Sequence, residues 1–234
     1  MSFESSALEN IPQPIVTIEK DVEEFVPQEF RADPFGYFEE KGKNIKSGEI
    51  QRDEDGSLKE DPTATKDLPV WENATGERLA VVGKKVNTTK SQIGKSNDPF
   101  YEYNIMEIAR EFDLPAPRPI AKVSSEQEHL IIMEKIDGIR WTAEGMRSIT
   151  DSDLTQEDKE DLMIQAKTAM DVLKDRYRAI GLERDWKVKD MVFGVDIPNR
   201  RVVSVTPTDW ERTKINRDQL QMARSLHPQQ HPLK

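Results

Sequence analysis

The longest run of regularly spaced apolar positions lies in the second half of the chain and predicts a helix over 155–180. Its apolar residues recur every three or four positions, which is the spacing of one helix face: Leu162, Ala166, Ala169, Met170, Leu173, Tyr177 and Ile180. Thr155 followed by Asp158 has the form of a capping box, and Gly181 suits the position just after a helix. We assign this apolar face to the protein core.

A second amphipathic segment predicts a helix that begins at Asp98 and Pro99, because Asp is a frequent N-cap and Pro a frequent first helical residue. Its apolar face is formed by Ile105, Met106, Ile108, Ala109 and Phe112. Glu102 precedes this face by one turn and is expected on the core side. Glu107 lies on another face, where we expect it to be solvated.

Apolar runs bounded by turn residues predict β-strands on both sides of this second helix. The segments 68–71 and 78–86 flank the sequence Asn-Ala-Thr-Gly at 73–76 and predict a β-hairpin. The run 129–133 has the composition of a buried strand and leads into a turn at 134–138.

The stretch 181–211 consists of a polar loop, two apolar strands joined by a tight turn, and an acidic residue. The loop carries Asp185 and Asp190, and the hairpin is expected to return Asp209 to the same edge. Carboxylate oxygens are preferred ligands of Mg²⁺, which positions groups for phosphoryl transfer in many enzymes. The pattern therefore predicts that these three carboxylates converge to bind Mg²⁺ and to position a hydroxyl group for phosphoryl transfer.

Both ends of the chain show little periodicity. Within an N-terminal arm, Ile15–Ile18 is predicted as a short strand, and 51–66 as an exposed loop, with disorder as the alternative. Near the C-terminus, 216–226 predicts a short helix. The proline-containing tail from residue 227 onwards is predicted to be loose.

Composition and charge exclude several classes of function. The 234-residue chain is 33% charged, with a mean hydropathy of −0.74, which suits one domain with loop or tail segments. A net charge of −10 argues against nucleic acid as the main partner, because phosphate backbones require a basic face. The absence of cysteine removes disulfides, thiolate metal sites and cysteine nucleophiles.

No N-terminal apolar region and no apolar run long enough to span a membrane is present in the sequence. We therefore expect no membrane partner and a cytoplasmic location, with secretion by a non-classical route as the alternative.

The segment 183–190, Glu-Arg-Asp-Trp-Lys-Val-Lys-Asp, resembles the protein-kinase catalytic loop His-Arg-Asp-Leu-Lys-x-x-Asn. Asp-Trp-Glu at 209–211 stands where that family has Asp-Phe-Gly, and is similar to the Asp-Trp-Glu of aminoglycoside phosphotransferases and choline kinases. The departures are Glu183 in place of His and Asp190 in place of Asn. Asp still binds Mg²⁺, whereas the first change removes a structural residue of the family.

Three further segments match the family in the same order along the chain. Val-Val-Gly-Lys at 81–84 is similar to the strand that carries the nucleotide-binding lysine. The proline-rich connector 114–120 resembles Leu-Pro-x-Pro-x-Pro of aminoglycoside phosphotransferases and RIO-type kinases. Met-Glu-Lys-Ile-Asp-Gly at 133–138 resembles the hinge of the same families.

The resemblance implies an α+β, two-lobed protein-kinase-like fold with a small antiparallel β N-lobe and a reduced helical C-lobe. The N-lobe and hinge are expected over 67–138, and a minimal C-lobe with the catalytic loop over 139–226. Residues 1–66 would then form an arm and a polar loop, and 227–234 the loose tail. The region in which protein kinases dock their protein substrates is nearly absent, as in truncated kinases among bacterial effectors.

The resemblance also implies roles on the nucleotide side. Lys84, with Lys85 as the alternative, would bind the α- and β-phosphates of ATP and be held by Glu102. Gly48 and Gly56 are the candidates for a loop that covers the phosphates, since no Gly-x-Gly-x-x-Gly motif precedes the lysine.

At the hinge, Met133 would be the gatekeeper, and the backbone C=O of Glu134 and N–H of Ile136 would bind the adenine edge. These contacts use backbone groups, so the side chains of the hinge need no special chemistry.

On the catalytic side, the resemblance assigns Mg²⁺ to Asp190 and Asp209. Asp185 would orient the attacking hydroxyl and accept its proton, and Lys187 would neutralise charge on the γ-phosphoryl group. The function implied is that of an ATP- and Mg²⁺-dependent minimal protein kinase with a protein substrate. A pseudokinase that serves as a binding module and a small-molecule kinase are the alternatives.

Overall fold

The computed structural model describes residues 13–45, 65–86, 98–140, 154–210 and 213–227. It confirms the α+β class: antiparallel strands dominate the first part of the chain, and the second part contains a long helix, β-hairpins and a C-terminal helix. One hydrophobic core joins the two parts, because Val82, Met106 and Met133 from the first pack in the same cluster as Met170 and Met191 from the second. This two-part arrangement is the one expected of a kinase-like fold.

A six-stranded antiparallel sheet forms the first part. Its strands, in spatial order, are β1 (Ile15–Ile18), β7 (Pro119–Ser124), β8 (His129–Glu134), β6 (Val81–Val86), β3 (Thr65–Asp67) and β2 (Lys43–Asn44). Successive side chains of a strand point to opposite faces. Val82 accordingly packs in the core shared with the second part, whereas Val81 packs in a separate cluster on the other face.

The outer face of the sheet is covered by the N-terminal segment. A 3₁₀ helix (Lys20–Phe25), α1 (Gln28–Ala32) and α2 (Pro34–Lys41) follow the predicted strand β1. Their buried side chains, among them Phe30 and Phe38, pack with Trp71 and Ile132 in the outer cluster. The prediction of a strand in the arm is confirmed, but the two helices were missed. The predicted loop 51–66 lies outside the described residues except for its last two, which begin β3.

The predicted hairpin over 68–86 is smaller than expected. Only β4 (Trp71–Glu72) and β5 (Arg78–Leu79) pair with each other, around a turn in which Gly76 has φ 83°. The strand β6 instead pairs with β3 along one edge and with β8 along the other. Both partners lie outside the predicted hairpin segment. Long-range pairing of this kind leaves no local signal in the sequence.

Helix α3 (Tyr101–Glu111) packs on the inner face of the sheet and begins later than predicted. Asp98 is not its N-cap: Oδ1 of Asp98 accepts a hydrogen bond from the Phe100 N–H at 2.8 Å, and Oδ2 accepts one from Asn104 Nδ2 at 2.8 Å. The aspartate therefore organises the turn that precedes the helix.

Helix α4 (Gln156–Ala179) is the predicted long helix, and its predicted capping box is present. The Asp158 N–H donates to Thr155 Oγ1 at 3.1 Å, and the Thr155 N–H donates to Asp158 Oδ2 at 3.0 Å. The helix ends at Ala179, and Gly181 just beyond it has a φ of 82°, a left-handed conformation that favours glycine. No helix in the described ranges is both long and apolar enough to cross a membrane.

The remaining elements contact α4 in its first half and at its C-terminal end. The strands β9 (Ile139–Arg140), β11 (Met191–Asp196) and β12 (Arg201–Pro207) form a three-stranded antiparallel sheet. The short strand β10 (Leu182–Glu183) pairs with β13 (Lys214–Ile215). Helix α5 (Arg217–Leu226) confirms the predicted short C-terminal helix.

Candidate active site

A buried ion pair joins the sheet to α3. Lys84 lies in β6, and Glu102 lies in the first turn of α3. Nζ of Lys84 is 2.7 Å from Oε1 of Glu102, and the two side chains are only 12% and 11% exposed. This charge-assisted hydrogen bond holds the two side chains in one geometry, because neither charge can be returned to water without moving the helix. The pair therefore fixes a lysine ammonium at the inner face of the sheet.

Lys85, the alternative to Lys84, is turned to the other side of the strand. Its Nζ is 2.5 Å from Oε1 of Glu128 and 3.3 Å from Oε1 of Glu39, which belongs to α2 in the outer layer. Strand alternation thus separates the two neighbouring lysines. The geometry favours Lys84 for a role at the inner face.

The predicted catalytic loop connects β10 to β11 through a 3₁₀ turn over Val188–Asp190. Within it, Nζ of Lys187 lies 2.6 Å from Oδ2 of Asp185. Both side chains remain accessible, with 42% of Lys187 and 54% of Asp185 exposed. A hydroxyl group brought by a partner molecule can therefore reach this carboxylate.

The hairpin of β11 and β12 brings Asp209 back to the end of this loop. Met191 is opposite Pro207 in the hairpin register. Just beyond it, the Thr208 N–H and Oγ1 donate to the carbonyl oxygen of Asp190 at 2.9 and 3.1 Å. The result is a small cavity of about 180 Å³, lined by Arg184, Asp185, Lys187, Lys189, Asp190, Asp209 and Thr213.

Electrostatic repulsion links the two aspartates at the base of the cavity. Burial raises the pKa of the Asp190 carboxyl, and the neighbouring carboxylate of Asp209 raises it further, whereas Arg184, Lys189 and Lys187 act in the opposite direction. Two carboxylates that repel each other in a partly buried site are stabilised by a cation between them.

The three carboxylates predicted to converge, those of Asp185, Asp190 and Asp209, line one cavity, but they are not arranged as a three-ligand metal site. Within the part of the chain that the structure describes, no group of three or more His, Cys, Asp or Glu side chains is arranged to hold a metal ion. Asp185 forms an ion pair with Lys187 instead. Asp190 and Asp209 remain as a two-carboxylate pair, a donor set that fits Mg²⁺ because this ion commonly takes one or two carboxylates and completes its shell with phosphate oxygens and water.

The predicted hinge follows β8 directly. Met133 is buried, at 6% exposure, and pairs with Val82 across the strands β8 and β6. The Glu134 N–H donates to the Arg118 carbonyl at 2.8 Å, and the Lys135 N–H donates to the Ala80 carbonyl at 2.9 Å. These bonds hold the first two hinge residues against the sheet. No backbone hydrogen bond between described residues uses the Ile136 N–H, which suits its predicted role towards a nucleobase.

Some residues of the predicted motifs are not brought into the cavity. Glu183, which replaces the family's His, lies in β10 opposite Lys214, with its side chain exposed. Gly48, Gly56 and Glu211 lie outside the described residues, so the predicted phosphate-covering loop and the end of the Asp-Trp-Glu motif receive no structural test.

Sequence reasoning gave no role to Arg184, Lys189 or Thr213, which line the same cavity. Arg184 and Lys189 could have been predicted, because they belong to the segment that resembles the catalytic loop. Thr213 follows the motif at 209–211, and no local pattern distinguishes it. Its backbone carbonyl accepts a hydrogen bond from the Tyr101 hydroxyl at 2.6 Å, which ties the segment after Asp209 to α3.

The sequence matches no protein-family model and no curated protein. Among solved structures, it is similar to the BubR1 kinase domain (13% identity, 81% of this chain and 59% of that chain, TM-score 0.43). It is also similar to Rad53 in complex with AMP-PNP (16% identity, 77% of this chain and 42% of that chain, TM-score 0.39). A third match is the amicoumacin kinase hAmiN in complex with AMP-PNP, Ca²⁺ and Ami (9% identity, 84% and 67% coverage, TM-score 0.31).

The chain spans 59% and 42% of the length of the first two of these structures. All three TM-scores are below 0.5.

Proposed function

We propose that this protein is an ATP- and Mg²⁺-dependent phosphotransferase that phosphorylates a hydroxyl group of a protein. The observation that carries the proposal is the buried pair of Lys84 and Glu102 at 2.7 Å. It is accompanied by Asp185, Lys187, Asp190 and Asp209 around one cavity. Phosphoryl transfer depends mainly on positioned charges, and these are the charges that it requires.

Each side chain has a distinct part in the reaction. Lys84, held by Glu102, binds the α- and β-phosphates. Lys187 balances negative charge on the γ-phosphoryl group as its bond to ADP breaks. Asp185 orients the acceptor hydroxyl and takes its proton as the new oxygen–phosphorus bond forms.

Mg²⁺ held by Asp190 and Asp209 would neutralise charge across the phosphates. The nucleobase would bind at the hinge, where Met133 limits the depth of the pocket and the backbone of Glu134 and Ile136 offers an acceptor and a donor.

A protein acceptor is favoured by the exposure of the catalytic loop. The side chains of Asp185 and Lys187 are about half exposed, at 54% and 42%, so the reacting hydroxyl can be presented from outside.

A pseudokinase is the second candidate, and the position of Glu183 favours it. The family's His supports the catalytic loop, whereas Glu183 is exposed in a two-stranded ribbon with Lys214. A protein of this kind would bind nucleotide or a partner protein without transferring phosphate.

The two candidates are separated by a thermal-shift titration with ATP, with and without Mg²⁺, followed by a phosphate-transfer assay on a general protein acceptor and on the protein itself. The wild type, Asp209→Asn and Asp171→Asn would be compared, since Asp171 is an exposed aspartate of α4 and serves as the matched control. A Mg²⁺-dependent rise in Tm that only Asp209→Asn loses, together with transfer, supports the kinase. The same rise without transfer supports a nucleotide-binding pseudokinase. A flat titration on folded protein contradicts the kinase and leaves a module that binds a partner protein.

A further inference from the structure

Four side chains next to the catalytic residues stack in one cluster, which we call the aromatic clamp: Tyr177, Arg184, Trp186 and Trp210. The ring of Tyr177 lies 5.5 Å from that of Trp186 and 5.6 Å from that of Trp210. The Cζ atom of Arg184 lies 5.2 Å from the ring centre of Trp186 and 5.0 Å from that of Trp210. These distances are within the range of aromatic stacking and of cation–π attraction.

The clamp joins three parts of the site that are distant along the chain. Tyr177 is fully buried in α4, and its hydroxyl donates to the carbonyl oxygen of Pro115 in the connector after α3. Arg184 and Trp186 are the immediate neighbours of Asp185, and the fully buried Trp210 is the immediate neighbour of Asp209. Three of the four clamp members are therefore bonded directly to an aspartate that lines the cavity.

The guanidinium of Arg184 lies within cation–π distance of the rings of Trp186 and Trp210. Its Nε and Nη1 atoms are buried and have no hydrogen-bond partner among the described residues. Burial lowers the pKa of the Arg184 guanidinium, and the nearby carboxylates of Asp209 and Asp190 oppose this shift. Arginine tolerates such a place better than lysine because its planar, weakly hydrated head stacks on aromatic faces.

We propose that Arg184 is a positioning residue that, stacked on Trp186 and Trp210, sets the distance between Asp185 and Asp209 during phosphoryl transfer. The inference rests on the proposed function and explains how the catalytic loop is held although Glu183 is exposed. The planar stack is the essential property, and positive charge alone does not replace it.

The test compares the full-length wild type with Arg184→Met, Arg184→Lys and the exposed control Arg178→Met. Arg184→Met removes the charge and the planar group, and Arg184→Lys removes only the planar group. We expect both Arg184 variants to lower kcat for phosphate transfer by about 100-fold, since displacement of about 1 Å at a reacting group has effects of this order. The KM for ATP should stay within about 3-fold if Arg184 acts by positioning the two aspartates and not by binding the nucleotide. The control should equal the wild type.

Fluorine NMR of protein labelled with 5-fluorotryptophan provides a readout that is independent of activity. The resonances of Trp186 and Trp210, assigned by single Trp→Phe substitutions, should shift in both Arg184 variants. The resonance of Trp71, which lies in the outer cluster, should stay unchanged and shows that the variants are folded.

Several results would overturn the clamp: wild-type kcat in Arg184→Lys, a loss confined to the KM for ATP, or unchanged Trp186 and Trp210 resonances in Arg184→Met. An inactive wild type contradicts the proposed function instead. In that case shifted resonances still support Arg184 as the residue that holds Trp210 against the loop, and unshifted ones overturn it.

Discussion

Two lysine–carboxylate pairs of nearly equal length have opposite surroundings. Lys84 and Glu102 are 2.7 Å apart with side chains 12% and 11% exposed. Lys187 and Asp185 are 2.6 Å apart with side chains 42% and 54% exposed. Because the distances are so similar, the difference between the pairs lies in the solvent around them.

Burial decides what each pair can do. Separating two charges in a dry environment is costly, so Lys84 and Glu102 act as one rigid unit that links β6 to α3. In water the same attraction is weak and easily exchanged, so Asp185 can leave Lys187 for a substrate hydroxyl. The first pair thus suits architecture, and the second suits chemistry.

The largest expected effect is on the rate of phosphate transfer when the exposed pair loses its carboxylate, with little effect on stability. Asp185→Asn should lower kcat for phosphate transfer by several decades, about 4–6 kcal/mol at 1.36 kcal/mol per tenfold change. The free energy of unfolding should change by less than about 1 kcal/mol, because the pair is exposed. Single-turnover kinetics and urea denaturation on the same preparation check both values. A strongly destabilised Asp185→Asn would show that this pair is architectural as well.

The next effect concerns stability at the buried pair. Glu102→Gln should lower the free energy of unfolding by about 3–5 kcal/mol, because it removes one charge of a buried ion pair. Glu107→Gln is the matched control on the same helix: Glu107 is 44% exposed and lies 3.6 Å from Lys122. Its effect should be below about 1 kcal/mol. Equal losses in the two variants, measured by urea denaturation, would mean that burial is not what distinguishes the pairs.

The predictable parts of the fold are those whose sequence patterns lie within the element itself. Helix α4 has its periodicity, its capping box and its terminal glycine within one segment. The core-side position of Glu102 followed from the spacing of the residues beside it. In contrast, α1 and α2 span 5 and 8 residues. Such short helices offer too few turns for a period to be recognised.

The site was predictable as a set of residues and less so as a geometry. Resemblance to the catalytic loop indicated Asp185, Asp190 and Lys187, but it could not show that Asp185 forms an ion pair with Lys187. The stacking of Arg184 on Trp210 was missed for a similar reason. It joins the loop to a residue beyond a complete hairpin, and such contacts exist only after the hairpin has folded.

A double substitution sharpens the architectural half of the comparison. Lys84→Met combined with Glu102→Leu should recover most of the free energy of unfolding that Glu102→Gln loses, because apolar groups of similar size often replace a buried ion pair without penalty. The double variant should not bind nucleotide, as measured by a thermal shift with ATP and Mg²⁺, because it lacks the lysine proposed to bind the phosphates. Recovery of both properties would show that Lys84 has no role towards phosphate.

The smallest effect tests the role of solvent directly, through salt. A double-mutant cycle on Asp185 and Lys187 should give a coupling energy of about 0.2–1 kcal/mol at low ionic strength. It should approach zero in about 1 M salt, where the Debye length is about 3 Å. The coupling of Lys84 and Glu102 should keep most of its value in the same salt, since ions do not enter a site that is about one-tenth exposed. If salt weakened both couplings equally, the buried pair would have to open to solvent in the native state. Lys84 and Glu102 would then not form a rigid link between β6 and α3.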